Sequence, residues 1–133
     1  MGKMKSATIL IADDHELLRD GIRGRLEKHP GWTVCAEAAD GREAVELARK
    51  FKPDIAVLDI GMPELNGLEA AREIRQLLPA IRIIMVSIDQ DARTLEECFQ
   101  NGANAFVAKI GMSRLLRQEV AKLFPAPTGE ARS

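Results

Sequence analysis

Apolar residues in this chain fall into short unbroken runs separated by longer stretches with a helical period. The runs are Ala7–Ala12, Ile55–Leu58, Ile83–Val86 (within a strand read as Arg82–Val86) and Ala105–Ala108. Runs of this length without polar alternation predict strands buried on both faces. Trp32–Ala38 alternates loosely and reads as a further strand. Glu16–Lys28 repeats apolar residues at Leu17, Leu18, Ile22 and Leu26, the period of a helix stopped by His29-Pro30-Gly31. Asp40-Gly41 reads as a turn before a helix over Ala44–Phe51, with Ala44, Val45, Leu47 and Ala48 inward and Pro53-Asp54 as its break. Asn66 is placed to cap a helix running to about Leu78, ended by Pro79. Asp91–Gln100 is the next helix, closed by Asn101-Gly102, and Ser113 caps the last one, to about Phe124.

Strands alternating with helices predict right-handed crossovers and a parallel sheet with helices on both faces. Five such units make an α/β, flavodoxin-like doubly wound (βα)5 fold of strand order 2-1-3-4-5, with its switch point beside the first strand. The folded unit is expected over residues 7–124. Residues 1–6 form an N-terminal tail, and residues 125–133, rich in Pro, Gly and Ser, read as a linker or a disordered tail.

Ligands of such sheets bind outside the carboxyl ends of the strands, and the residues there carry chemistry. Asp13 and Asp14 follow the first strand, Asp59 the third, Ser87 the fourth and Lys109 the fifth. The order 2-1-3 makes the first and third strands neighbours, which gathers the three acids. Each also has an ordinary explanation. An Asp after a strand is often a solvated turn residue or a helix cap, a lysine at a strand end often snorkels, and a serine there is often only a turn residue. Three together are harder to explain that way, because like charges brought close repel and raise one another's pKa. All-oxygen donors favour Mg²⁺ or a similar hard cation completed by a phosphate oxygen. Lys109 then pairs with Asp59 and Ser87 donates to a phosphoryl group. His15 reads as a loop residue beside the acidic pocket rather than as a ligand.

Composition narrows the classes. With 133 residues, 46% hydrophobic and 29% charged, the chain has the make-up of one soluble globular domain. The formal net charge of −1 argues against direct nucleic-acid binding, and no basic amphipathic stretch suggests a membrane surface. There is no run long enough for a transmembrane helix and no signal peptide. Met1-Gly2 with Ser6 fits an N-myristoylation pattern that a start followed by glycine meets by chance. Cys35 and Cys98 lack metal-site spacing and read as free thiols in a reducing cytoplasm.

The ordered set of Asp13-Asp14, Asp59-Ile60-Gly61-Met62-Pro63 with Gly67, Ser87, and Gly102 through Lys109 resembles a two-component response regulator receiver domain. Asp13-Asp14-His15 with Arg19-Asp20-Gly21 is similar to the NarL/FixJ (LuxR-type) subfamily. The resemblance covers about residues 7–124. It implies a signalling phosphoacceptor rather than an enzyme acting on a separate substrate. Asp59 would accept the phosphoryl group from a sensor histidine kinase. Asp14, Asp59 and the Gly61 carbonyl would bind Mg²⁺ directly, and Asp13 through a metal-bound water. Lys109 and Ser87 would contact phosphoryl oxygens. Phe106, otherwise a core aromatic of a buried strand, would be a switch residue turning with Ser87. The change would be read on the face of the fourth helix, fifth strand and fifth helix. A homodimer through that face, or through the first and fifth helices, is compatible with the family.

Several positions depart from the pattern. Ile88 stands where a small residue is usual and is expected to narrow access to the phosphoryl group, unless it packs outward; Gly61 flanks the same approach. Ser87 replaces threonine, Phe106 replaces tyrosine, and Ile110 replaces proline. The last helix starts closer to Lys109 than in NarL-type proteins. Residues Pro125 to Gly129 stand where those proteins pass to a helix-turn-helix domain, so the chain is either a receiver cut from a longer regulator or a stand-alone receiver, and DNA contact is expected only through an output domain beyond this sequence. Rival folds fit less well. An FMN loop would not be Asp13-Asp14-His15-Glu16, a cobalamin motif would need glycine at Leu18, a haloacid-dehalogenase-type phosphatase would need an Asp at Gly61, and no second histidine completes a zinc-protease motif after His15-Glu16. The remaining rival is a receiver-fold interaction or dimerisation module that works without phosphorylation.

Overall fold

The computed structural model describes residues 6–110 and 112–123, the Ser113 side chain excepted. The expected cap at Ser113, the helix end at Phe124, most of the N-terminal tail and the 125–133 linker lie outside the described residues. The elements run β1 (Ala7–Ala12), α1 (Glu16–Glu27), β2 (Trp32–Ala38), α2 (Gly41–Phe51), β3 (Ile55–Asp59), α3 (Gly67–Leu77), β4 (Arg82–Ser87), α4 (Ala92–Gln100), β5 (Ala105–Ala108) and α5 (Met112–Leu123). The strands form one five-stranded sheet in the order β2-β1-β3-β4-β5, every pair parallel. This is the expected flavodoxin-like doubly wound arrangement. No described helix is long and apolar enough to cross a membrane.

The unbroken apolar runs have the predicted cause. Every residue of β3 is buried, and so are five of the six residues of β4, because helices cover both faces. Leu10, Ala12, Leu58 and Met85 pack with the small inward residues of α2 and α3 and with Cys98 of α4. Ile9, Ile11, Val57 and Val86 pack on the other face with Ile22 and Leu26 of α1 and Leu116 and Val120 of α5. The loose alternation of β2 has a cause too. The register with β1 jumps between Ile9↔Val34 and Leu10↔Ala36, which leaves Cys35 as the extra residue of a bulge.

Helix α2 starts three residues before the predicted Ala44. Asp40 is its N-cap, accepting from the Glu43 N–H at 2.8 Å, while the Glu43 side chain accepts from the Ala39 N–H at 2.8 Å, a close variant of the capping box. Gly41 looked like a turn residue because glycine is a poor helix former. Its place is set by packing: a Cβ there would lie 1.7 Å from the Leu65 carbonyl oxygen. Gly67 opens α3 under the same constraint, with a Cβ falling 2.2 Å from the Asp59 carbonyl oxygen. These two glycines let both helix starts close on the loop that carries Asp59.

Alanine is the better helix former at either position, so steric and propensity effects oppose one another at Gly67. We expect Gly67→Ala to lose about 1–3 kcal/mol in urea unfolding. Gly61→Ala, where an added Cβ meets nothing within 4 Å, should stay within about 0.5 kcal/mol of wild type. Equal effects of the two substitutions would refute the close-approach account.

Candidate functional site

The parallel sheet delivers the predicted residues to one rim. The Asp13 N–H donates to the Ala38 carbonyl at 3.0 Å, and the Lys109 N–H to the Ser87 carbonyl at 2.8 Å, so the ladder continues one residue past β1 and β5. Asp59 and Ser87 are the last residues of their strands. Among the described residues, the buried polar or charged side chains are Asp13, Asp59 and Ser87, exposed by 2%, 5% and 7%.

The Lys109 ammonium sits 3.2 Å from Asp13 Oδ2 and 3.2 Å from Asp59 Oδ2. Pairing with Asp59 was expected; the equal contact with Asp13 was not. One cation thus bridges two buried anions. Asp59 Oδ1 faces the other way and accepts a long bond from the Gly61 N–H at 3.4 Å. Ser87 Oγ accepts from the Asp89 N–H at 3.0 Å, which leaves its hydroxyl hydrogen free to donate. Asp14 and Gly61 are exposed. Ile88 is 75% exposed at the rim. Phe106 is half-buried and packs on the α2–α3–α4 side of the sheet.

Burial raises the Asp59 pKa, the Asp13 charge raises it further, and Lys109 opposes both. For Lys109, burial works against the ammonium, but Asp59 and Asp13 outweigh it and the pKa rises. Three carboxylates against one ammonium leave a formal charge of −2 on these four groups. Asp13, Asp14, His15 and Asp59 each offer a ligand atom within 4.8 Å of the others. Mostly oxygen donors, an excess of negative charge and burial together fit a divalent cation.

The Arg19 contacts escaped the sequence reading, and His15, expected beside the pocket, makes closer contacts with the acids than that reading gave. Arg19 donates to the Asp13 carbonyl oxygen and, at 3.2 Å, to Glu37 Oε1 of β2, which pins the backbone of the first acid to the neighbouring strand. His15 sits with Nδ1 2.8 Å from Asp13 Oδ1 and 3.1 Å from Asp14 Oδ1. Neither contact has a spacing signature, since both depend on where α1 leaves the sheet.

The Asp59 shift has a consequence for stability. A carboxyl whose folded pKa is raised contributes stability that is fully present below its unfolded pKa and is lost as pH rises through the folded pKa. At pH 7 the ionised Asp59 therefore works against folding. We expect Asp59→Asn to unfold at higher urea than wild type at pH 7, by about 0.5–2 kcal/mol. The difference should shrink as pH falls through the raised folded pKa into the ordinary carboxylate range. A variant less stable than wild type at pH 7 would mean that the Lys109 pair outweighs the burial.

Comparison with known proteins agrees with the geometry. The transcriptional regulatory protein DegU of Brevibacillus brevis is 38% identical over 101 residues, covering 76% of this chain and 43% of DegU. The nitrate/nitrite response regulator NarL of Escherichia coli K12 is 34% identical over 109 residues, covering 82% of this chain and 50% of NarL. The chain thus spans about half the length of these relatives. The crystal structure of a LuxR-family two-component response regulator from Aurantimonas sp. SI85-9A1 superposes with a TM-score of 0.85 at 38% identity, covering 90% of this chain and 86% of that one. Residues 9–121 match the response regulator receiver domain, and the chain belongs to that family, the receivers of two-component response regulators.

Proposed function

We propose that the chain accepts a phosphoryl group on Asp59 from the phosphohistidine of a sensor kinase and releases it again by hydrolysis. The observation that carries this reading is the buried Asp13–Lys109–Asp59 bridge at the carboxyl rim of the sheet. An Asp59 carboxylate oxygen attacks phosphorus, a P–O bond forms, and the P–N bond breaks with its electron pair returning to the imidazole. The product is an acyl phosphate. Lys109 already touches Asp59 Oδ2 and stabilises negative charge on the phosphoryl oxygens, while the free Ser87 hydroxyl hydrogen supplies a further donor. Asp14, Asp59 and the Gly61 carbonyl would hold Mg²⁺, with Asp13 acting through a water. Bound there, the ion supplies charge compensation and in-line orientation for the transfer.

Phosphorylation then biases a pre-existing equilibrium. Ser87 and the half-buried Phe106 are the proposed moving parts, and the α4–β5–α5 face is the readout surface controlling an output domain, transcriptional by analogy with DegU and NarL. Homodimerisation through that face or through α1 and α5 belongs to the same reading. On the α1–α5 side, Leu17 and Ile110 are 85% and 77% exposed. Leu17 lines a groove of ≈ 400 Å³ together with Leu18, Gly21, Ile22, Arg25, Lys109 and Met112. The proposed location is the cytoplasm, where a kinase draws its ATP.

Incubation with Mg²⁺ and acetyl phosphate, read by intact mass, tests the reading. Wild type should carry one phosphoryl adduct and Asp59→Asn none. A folded wild type that takes no adduct from acetyl phosphate or from a kinase would favour a module that works without phosphorylation. Ile88 is proposed to slow the approach of water or a phosphatase, with Gly61 leaving the opposite side open. We expect Ile88→Ala to lose its adduct faster than wild type in a time course after donor removal; equal or slower decay would remove Ile88 from the site.

A further inference from the structure

His15 breaks a local rule. It occupies the N-cap position of α1, yet its side chain makes no cap hydrogen bond. By contrast Asp40, Asn66 and Asp91 each cap their helix by accepting from the backbone N–H three residues on. An N-cap Asp, Asn or Ser in place of a non-capping residue stabilises a helix by about 0.5–2 kcal/mol, and that contribution is absent at α1. Local rules are most often broken where function opposes them.

The ring turns instead to the acidic pocket. Nδ1 lies 2.8 Å from Asp13 Oδ1 and 3.1 Å from Asp14 Oδ1, and the four candidate ligand atoms fall within 4.8 Å. Adjacent ligands of an octahedral ion with bonds of about 2.1 Å are about 3.0 Å apart. Nδ1 therefore lies a ligand-to-ligand spacing from Asp14 Oδ1, an oxygen proposed to bind the ion directly, and at hydrogen-bond distance from Asp13 Oδ1. The backbone supports this arrangement, because the His15 N–H also donates to Asp13 Oδ1 at 2.8 Å. The ring is well exposed, its side chain 64% accessible, so it can reorient on the ion without disturbing the core.

We propose that His15 is a nitrogen ligand of the cation site and gives it a preference for first-row transition cations, Mn²⁺ and Co²⁺ among them, over Mg²⁺. Mg²⁺ binds oxygen donors and dehydrates reluctantly, whereas imidazole suits the transition series. The inference rests on the reading of Asp13, Asp14 and Asp59 as the cation site.

Calorimetric titration of the full chain with Mg²⁺, Mn²⁺ and Co²⁺ tests it, together with pulsed electron paramagnetic resonance of the Mn²⁺-loaded protein. Wild type should bind Co²⁺ more tightly than Mg²⁺ and show a directly bound ¹⁴N. His15→Gln should lose the nitrogen coupling and about 10–100-fold in Co²⁺ affinity, with Mg²⁺ affinity within about twofold of wild type by the same logic. His29→Gln, which removes the other histidine of the chain, should change neither. Absence of ¹⁴N coupling in wild type, or equal losses for Mg²⁺ and Co²⁺ in His15→Gln, overturns the proposal while Mg²⁺ binding leaves the receiver reading intact. Failure of wild type to bind any of the three cations overturns both.

Discussion

Everything at the rim depends on burying two carboxylates around one ammonium. Asp13 and Asp59 are nearly inaccessible, and Lys109 touches one oxygen of each at the same distance. Neither acid would be stable there as an ion without the lysine. Desolvation of an ionised carboxylate is expensive, and a second negative charge nearby adds to it. A lysine shared between them offsets part of this and leaves a surplus of negative charge facing the exposed Asp14. In the proposed reading that surplus is what a cation would offset. It also explains why a phosphoryl group, itself negative, needs compensation before it can approach.

The fold holds this arrangement by placing each charge on a different strand end. Asp13 is locked to β2 through its own N–H and through Arg19. Asp59 ends β3 beneath Gly67, and the Lys109 N–H is tied to the end of β4. None of these backbone anchors can shift without disturbing the packed sheet. Farther from the rim, the Arg75 guanidinium donates to the Gly102 and Ile81 carbonyls and to Asn104 Oδ1, while Asn104 Oδ1 also accepts from the Ile83 N–H. This clamp fixes the turn between α4 and β5, so the strand bearing Phe106 enters the sheet from a rigid side.

The strands were legible because helices cover both faces of the sheet, which forces apolar residues at every position. The acids, Ser87 and Lys109 were legible because they interrupt those runs at their carboxyl ends. What stayed hidden depends on distance through space. The start of α2 at Gly41 follows from contact with Leu65, the irregular alternation of β2 from the bulge at Cys35, and the double pairing of Lys109 from the sheet order combined with side-chain length. His15 was read as a bystander because no histidine partner follows at helical spacing. Its partners are carboxylates one and two residues before it, which only the turn geometry brings to the same nitrogen.

Ser87 is the residue through which the proposed switch would let a fixed site respond. Its Oγ accepts the Asp89 N–H, so the hydroxyl is held but its hydrogen is not spent. A donor in that state can meet a new oxygen on Asp59 by rotation about one bond, without first breaking a backbone contact. The net hydrogen bond at stake is worth only about 1 kcal/mol, small enough for the equilibrium to be poised. Phe106 is neither fully buried nor free, and it pairs across the ladder with Met85, two residues before Ser87. Under the proposed switch, a shift at Ser87 would reach Phe106 through one strand and one cross-strand contact. In the proposed reading the rigid acids keep the charge in place, and the Ser87 hydroxyl, held but with its hydrogen unspent, would let the neighbouring surface register a change in it.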